Sequence, residues 1–186
     1  MKQLFTIYRH KDLNFQGTLI ARRARRAIIF KDDCLLLVKS EKYGELKFPG
    51  GGIDPDETPF QTLSREVMEE TGYGITQTIV PFGSTVEFGK DFLGEYDIFK
   101  QESEYYLCEL HGEPQALSLD DYEIDYGYHP VFALPQMAIA NNEAIPANEK
   151  IPWKERDTLI LKLLQATICN SQTGEPDQNE TKDRNS

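Results

Sequence analysis

Residues 51–73 of this chain read GGIDPDETPFQTLSREVMEETGY, and they follow directly on Phe48, Pro49 and Gly50. Within the stretch, Glu66, Glu69 and Glu70 stand at spacings i, i+3 and i+4, which on a helix brings three carboxylates to one face. Like charges so placed repel, and a helix gains nothing locally from carrying them. They make physical sense against a hard divalent cation, because Mg²⁺ prefers carboxylate oxygen and commonly brings phosphate with it. The helix itself is well signalled over about 58–70. Thr58 can cap its start, Pro59 suits the first turn and Gly72 is a natural stop. On a helical wheel Phe60, Leu63, Val67 and Thr71 share one arc, and the glutamates share another roughly 100° away. One face therefore packs on a sheet while its neighbour opens into a cleft.

Working outward, residues 24–30 (ARRAIIF) and 34–39 (CLLLVK) read as strands joined through Lys31-Asp32-Asp33, and Leu4 to Tyr8 as an edge strand. Residues 76–88 and 103–110 (SEYYLCEL) are strand-like, as is the short run 129–134. The polar segment 89–102 and the acidic run 112–127 are expected as irregular loops. Pro135 to Ala144 can form a short helix, and Trp153 to Ile168 an amphipathic one with Trp153, Leu159, Ile160, Leu163 and Leu164 on its apolar side. From Asn170 the chain is polar without apolar anchors. The expected organisation is one domain over 1–169 and a disordered tail over 170–186. Strands, a helix, more strands and a last helix make an α/β protein, a mixed sheet with flanking helices.

Gly51, five residues, Glu57, seven residues and then Arg65-Glu66-Val67-Met68-Glu69-Glu70-Thr71-Gly72 resembles the Nudix box of the Nudix hydrolases. The one departure is the last position, where the family usually has Ile, Leu or Val and this chain has Tyr73; that is a packing position. The resemblance implies the Nudix α/β/α sandwich, with the box as a loop–helix–loop beside the sheet. It also implies hydrolysis of a pyrophosphate-type bond in a nucleoside diphosphate linked to another group, with Mg²⁺, or Mn²⁺, as cofactor. By the same resemblance Glu66, Glu69 and Glu70 are the metal ligands. One of them, Glu69 first, orients or deprotonates the attacking water. The backbone carbonyl of Gly50 or Gly51 completes the metal shell, and glycine there lets the backbone approach the ion without a Cβ. Arg65, with five donors in a rigid fork, pairs with Glu57 and ties loop to helix.

Arg22, Arg23, Arg25 and Arg26 crowd into an otherwise acidic chain. Strand alternation puts Arg23 and Arg25 on one face and Arg22 and Arg26 on the other, so they cannot all serve one site. Arg23 and Arg26 are expected among the substrate-binding residues. So is Lys39, at the end of the second hairpin strand, where Nudix enzymes often place a phosphate-binding cation; Lys47 is a further basic residue nearby. Some members supply an extra carboxylate from outside the box. Glu104 and the acidic run Asp120, Asp121, Glu123 and Asp125 offer it here, with Glu104 and Asp120 as the chosen candidates.

The chain has 186 residues, 39% apolar and 27% charged, with a formal net charge of −11, which argues against binding duplex nucleic acid. Three widely spaced cysteines, with no C-x-x-C pair, argue against a zinc site or disulfide framework. No signal peptide and no membrane-length apolar run is present, so a soluble, cytoplasmic protein is expected. Its expected partner is a small phosphorylated nucleotide, with a homodimer left open. Family subgroups carry markers downstream of the box, but Phe88-Gly89 and Lys90-Asp91 stand where those of ADP-ribose and dinucleoside-polyphosphate hydrolases would be. A nucleoside triphosphate, an oxidised one and a nucleotide sugar all stay open. The alternative is a non-catalytic nucleotide sensor on the same fold. An isoprenoid diphosphate isomerase would need a cysteine near the box, where there is none.

Overall fold

The computed structural model describes residues 1–173. The elements run in chain order as β1 (Gln3–Tyr8), β2 (Leu19–Lys31), β3 (Cys34–Ser40), β4 (Leu46–Lys47), α1 (Pro59–Thr71), β5 (Gly74–Gly89), β6 (Ile98–His111), α2 (Asp121–Tyr126), β7 (Tyr128–Ala133), α3 (Pro135–Ala144) and α4 (Trp153–Thr173). The strands lie in the order β1-β5-β6-β2-β3-β4, with β7 on β3. Strand β1 runs parallel to β5, and β2 parallel to β6; the β5–β6, β2–β3, β3–β4 and β3–β7 pairs are antiparallel. The expected α/β class with a mixed sheet and flanking helices is what the chain adopts.

Strands β2 and β3 pair only beside their turn, through Phe30–Leu35 and Lys31–Cys34. Beyond that they splay apart, and the loop 49–53 takes the vacant edge of β2. Arg25 N donates to Gly51 O at 3.0 Å and Ala27 N to Pro49 O at 2.9 Å, with a bridge between Ala24 and Gly52. This zipper sets the start of the glycine loop in register with the sheet.

Helix α1 lies on one face of the sheet. Leu63 and Val67 are buried against Ala27, Ile29, Leu36, Ile75, Tyr106 and Cys108. At roughly 1.5–3 kcal/mol per buried aliphatic side chain, these two anchors hold the helix by packing. Thr58 caps it, with Gln61 N donating to Thr58 Oγ1 and Thr58 N donating to Gln61 Oε1, and Gly72 closes it in the left-handed conformation. Tyr73 packs beside this cluster, edge-on to Phe132 at 5.8 Å between ring centroids. Helices α3 and α4 cover the opposite face, over Ile28, Leu35, Leu37, Leu46, Phe48 and Tyr105.

Three segments differ from expectation. Residues 98–102 are not loop but the start of β6, because they find parallel partners in Leu19 to Arg23, the early half of β2. The acidic run contains α2, ended by Gly127 in the left-handed conformation. Helix α4 continues to Thr173, past the Asn170 at which the tail was expected to begin; residues 174–186 of that expected tail lie outside the described residues. Among the described residues, no helix is long and apolar enough to cross a membrane.

Candidate active site

The glycine loop and α1 meet through backbone that only glycine accommodates. Gly50 sits at φ +134°, and a Cβ there would overlap the Arg25 carbonyl oxygen. At Gly51 a Cβ would run into the Glu66 carboxylate, which lies directly over the loop backbone. The loop therefore approaches the helix closely enough for an amide to donate to a helix carboxylate and a carbonyl to accept from Arg65. Gly50 N donates to Glu70 Oε2 at 2.7 Å.

Arg65 is the centre of the arrangement. Its Nε donates to Glu57 Oε1 at 2.8 Å, and its Nη2 to Glu57 Oε2 and to Gly52 O, both at 3.1 Å. Nη1 lies between two glutamates, 2.8 Å from Glu66 Oε1 and 3.2 Å from Glu69 Oε2. One guanidinium thus fixes the loop and two of the three box carboxylates. The hydrogen bonds from Arg65 hold Glu57 down to about 2, with further help from Thr62 Oγ1 and the amide of Asp54. Glu66 is mostly buried, and burial pushes its carboxyl above the ordinary range against the pull of Arg65. Glu69 is the most open of the three, with 37% of its side chain exposed.

Glu70 turns the other way. It is fully buried, its Oε1 receives Lys47 Nζ at 2.6 Å, and Lys47 in turn lies 3.8 Å from Glu123 Oε1 and 4.2 Å from the Tyr128 ring centroid. Burial, then the neighbouring charge of Glu70, raises the Glu123 carboxyl. The three glutamates expected on one face thus divide into a pair on Arg65 and a single buried one on Lys47. Among the described residues, no three acidic, histidine or cysteine side chains converge on one point.

The other expected site residues fall on both sides of this centre. Glu104 lies opposite Arg25 in the β2–β6 register and binds Arg25 Nε at 3.1 Å and Arg23 Nη2 at 2.6 Å. Burial presses its carboxyl upward, but the two arginines hold it below the ordinary range. Arg23 and Arg25 share a face, as alternation predicts, and Arg25 also reaches Glu57 O and Thr62 Oγ1. Arg26 donates through Nη1 to Gly50 O.

Two expected residues lie away from α1. Lys39 shares the sheet face of Leu35 and Leu37, toward α3 and α4, because side chains alternate along β3; the cation that reaches α1 is Lys47, from β4. Asp120 is exposed and caps α2. The carboxylate of that segment that comes to the box is Glu123, whose Oε2 accepts from Asp120 N at 3.1 Å.

The donor atoms suit a hard cation. Glu66, Glu69, Glu70 and the Gly50 carbonyl offer oxygen alone, with Glu70 held apart from the other two by Lys47, and the side-chain-free backbone of Gly51 leaves the Glu66 carboxylate its place. Arg65, Arg26 and Lys47 neutralise and orient those same oxygens.

The family model described as NUDIX domain matches residues 21–148. An RNA pyrophosphohydrolase of Sulfurovum sp. (strain NBC37-1) is 37% identical over 81 residues, covering 42% of this chain and 51% of that protein. A probable DHNTP pyrophosphohydrolase of Lactococcus lactis subsp. cremoris (strain MG1363) is 29% identical over 107 residues, covering 48% of this chain and 64% of that protein. The chain thus spans between half and two thirds of the length of these relatives. Among solved structures, a NUDIX hydrolase from Nitrosomonas europaea has the same fold, with a TM-score of 0.52 at 21% identity over 74% of this chain and 88% of that one.

Proposed function

This chain belongs to the NUDIX family, and from that membership we propose that it is a metal-dependent hydrolase. In this reading it cleaves a pyrophosphate-type bond in a small nucleoside diphosphate derivative. The observation that carries the proposal is the reach of one guanidinium. Arg65 binds Glu57, Glu66, Glu69 and the Gly52 carbonyl at once, so the box residues form a single assembled unit.

Glu66 and Glu69, with Glu70 and the Gly50 carbonyl, would hold Mg²⁺ or Mn²⁺. When bound, such an ion neutralises phosphate oxygens and acidifies a water. The chain's own residues supply the rest. Arg65 fixes the Glu66 and Glu69 carboxylates in place, and a positioned oxygen needs no reorganisation when charge develops. Glu69 is the group that orients or deprotonates the water. Of the three box glutamates it is the one most open to solvent, and among the described residues its Oε2 is engaged only by a 3.2 Å bond to Arg65. Lys47 balances the paired charges of Glu70 and Glu123 behind the site. The unit that performs this work is residues 1–169, acting in the cytoplasm on nucleotides rather than on duplex nucleic acid.

The test is a screen of nucleoside di- and triphosphate derivatives with Mg²⁺ or Mn²⁺, reading released phosphate, pyrophosphate and nucleotide. Metal- and Glu69-dependent release from at least one compound is expected. Tight binding without release from any would instead favour the sensor reading.

A further inference from the structure

Two loops at one end of the sheet hold large apolar side chains out into water. Residues 9–18 join β1 to β2, and residues 90–97 join β5 to β6. Polar contacts stitch the two loops together: Lys90 Nζ donates to Asp12 Oδ2 at 2.6 Å, and Asp97 accepts from Thr18 N at 2.7 Å and Asn14 Nδ2 at 3.1 Å. Asp91 closes the second loop on itself, its Oδ2 accepting from Glu95 N at 3.0 Å and Tyr96 N at 3.3 Å, with Gly94 at φ +71°. At the tip of that turn stand Phe92, 96% exposed, and Leu93, 74% exposed. Next to it is an aromatic corner. The Tyr8 and Phe88 rings stack at 5.5 Å with planes 13° apart, and Phe15 stands edge-on to both. We propose that this end of the sheet is the contact between two copies of the chain related by a two-fold axis, with Phe92 of each copy seated in the aromatic corner of the other.

Area is the first reason. Tyr8 and Phe15 are each more than half exposed, and Tyr96 and Leu19 are also bare. Taking about 200 Å² for a whole aromatic side chain and somewhat less for leucine, these residues with Phe92 and Leu93 leave roughly 700 Å² of apolar surface in water. The largest apolar patch on an ordinary monomer is about 300–600 Å². A stable contact between two proteins covers about 800 Å² on each, polar rim included. The patch is therefore too large for a surface meant to stay bare and the right size for one side of a dimer.

Shape and charge then choose the occupant. The surface carries both a projecting tip and a corner to receive one, which is what an isologous contact needs: each copy gives and takes the same insertion, and neither half is left bare. The hydrogen-bonded turn holds the tip in place before contact, so little ordering is required on association. Residues 8–20 and 88–98 hold three basic against four acidic side chains, a formal −1 of the chain's −11. A second copy thus meets little of the repulsion that the rest of so acidic a surface would impose. Asp91, Glu95 and Asp97 around the tip disfavour an anionic lipid surface in its place. No box residue takes part.

The experiment is sedimentation velocity on the full chain from about 1 µM to about 100 µM, the weak end of the affinities that contacts of this size reach. The wild type should sediment as a dimer at the upper concentrations. Phe92→Asp should raise the dimer dissociation constant by about thirtyfold or more, as loss of a central anchor does. Leu93→Asp should act in the same direction, and Phe15→Ala, which opens the corner, by about tenfold. Phe92 and Leu93 are so exposed that their variants should keep the circular dichroism of the folded chain. Met137→Asp, which alters an equally bare apolar side chain on α3, should leave the dimer intact. A wild type that stays monomeric at about 100 µM overturns the assignment, and so does one that forms open-ended assemblies instead of a dimer. A dimer that survives both Phe92→Asp and Leu93→Asp, or one that Met137→Asp disrupts as strongly, overturns it as well.

Discussion

Two arginine–carboxylate networks lie on opposite faces of the sheet, and they are built from the same chemistry in different solvent. On the α1 face, Arg65 holds Glu57, Glu66 and Glu69 with side chains between 12% and 37% exposed. On the α4 face, Arg156 holds Asp157 at 2.8 Å and Glu87 at 3.1 Å with none of the three more than 3% exposed. Asp157 also accepts from Tyr105 Oη at 2.9 Å and from Phe48 N at 3.2 Å, just ahead of the glycine loop. The first network touches water, so a ligand can reach its carboxylates while Arg65 holds them. The second is sealed and braces the loop from behind. Charge pairing alone does not mark a functional site; charge pairing with access does.

The largest expected effect separates the two networks at once. Glu66→Gln keeps the shape of the side chain and removes the charge proposed to hold the metal ion, and should lower turnover by orders of magnitude with the melting temperature nearly unchanged. Steady-state kinetics beside a thermal melt would check it. A variant that unfolds while its folded fraction turns over normally would place Glu66 among the structural pairs.

Arg156→Ala should do the opposite. Removing one partner of a buried pair leaves Asp157 unneutralised and Glu87 with Arg9 alone, at a cost of roughly 3–5 kcal/mol. Urea unfolding would show it as a lower midpoint at an unchanged slope. Should the midpoint hold while activity disappears, the sealed network would be the working one.

Lys47 lies between these extremes, a buried cation that touches the box. Lys47→Met should cost roughly 1.5–3 kcal/mol at neutral pH, because it strands Glu70 beside Glu123. The sign of the pH dependence follows from Glu123, whose carboxyl is raised by burial and by Glu70. The folded state then holds a proton that the unfolded state has released, so acidification adds stability. The deficit of the variant should shrink from pH 7.5 to pH 5, above the range in which Glu57, held at about 2, begins to lose its charge. A urea midpoint for the variant that moves further below wild type on acidification over that range would contradict this pairing.

These contrasts also explain what could be read in the sequence. Helix α1, its cap and the Arg65–Glu57 pairing are written in local spacing, where a pattern of 23 residues carries its own geometry. What escaped depended on distant partners. Residues 98–102 are polar and become strand only because β2 runs alongside. Two-residue β4 has no signal of its own, so Lys39 looked better placed than Lys47, although β3 turns Lys39 toward α4. Arg156 and Asp157 sit on the inner face of α4 where a periodicity reading keeps charge outside, and distant partners, Glu87, Ser103, Tyr105 and the Phe48 amide, make that burial tolerable. Glu123 is one acid among many in its run, singled out by the turn of α2 that brings it to Lys47.

The smallest effect tests whether the box helix rests on its network or on its own start. Thr58 and Gln61 satisfy each other's amides at the N-terminus of α1, and both are exposed. Loss of such a cap costs about 1 kcal/mol. Thr58→Ala should therefore lower the melting temperature slightly and leave kcat within twofold, since Arg65 still holds Glu57, Glu66 and Glu69 from the second turn onward. Arg65→Ala, measured beside it, should cost more in turnover than in stability. If the cap variant lost as much turnover as the arginine variant, the carboxylates would owe their positions to the end of the helix, and the contrast between an open network and a sealed one would have to be redrawn around helix fraying.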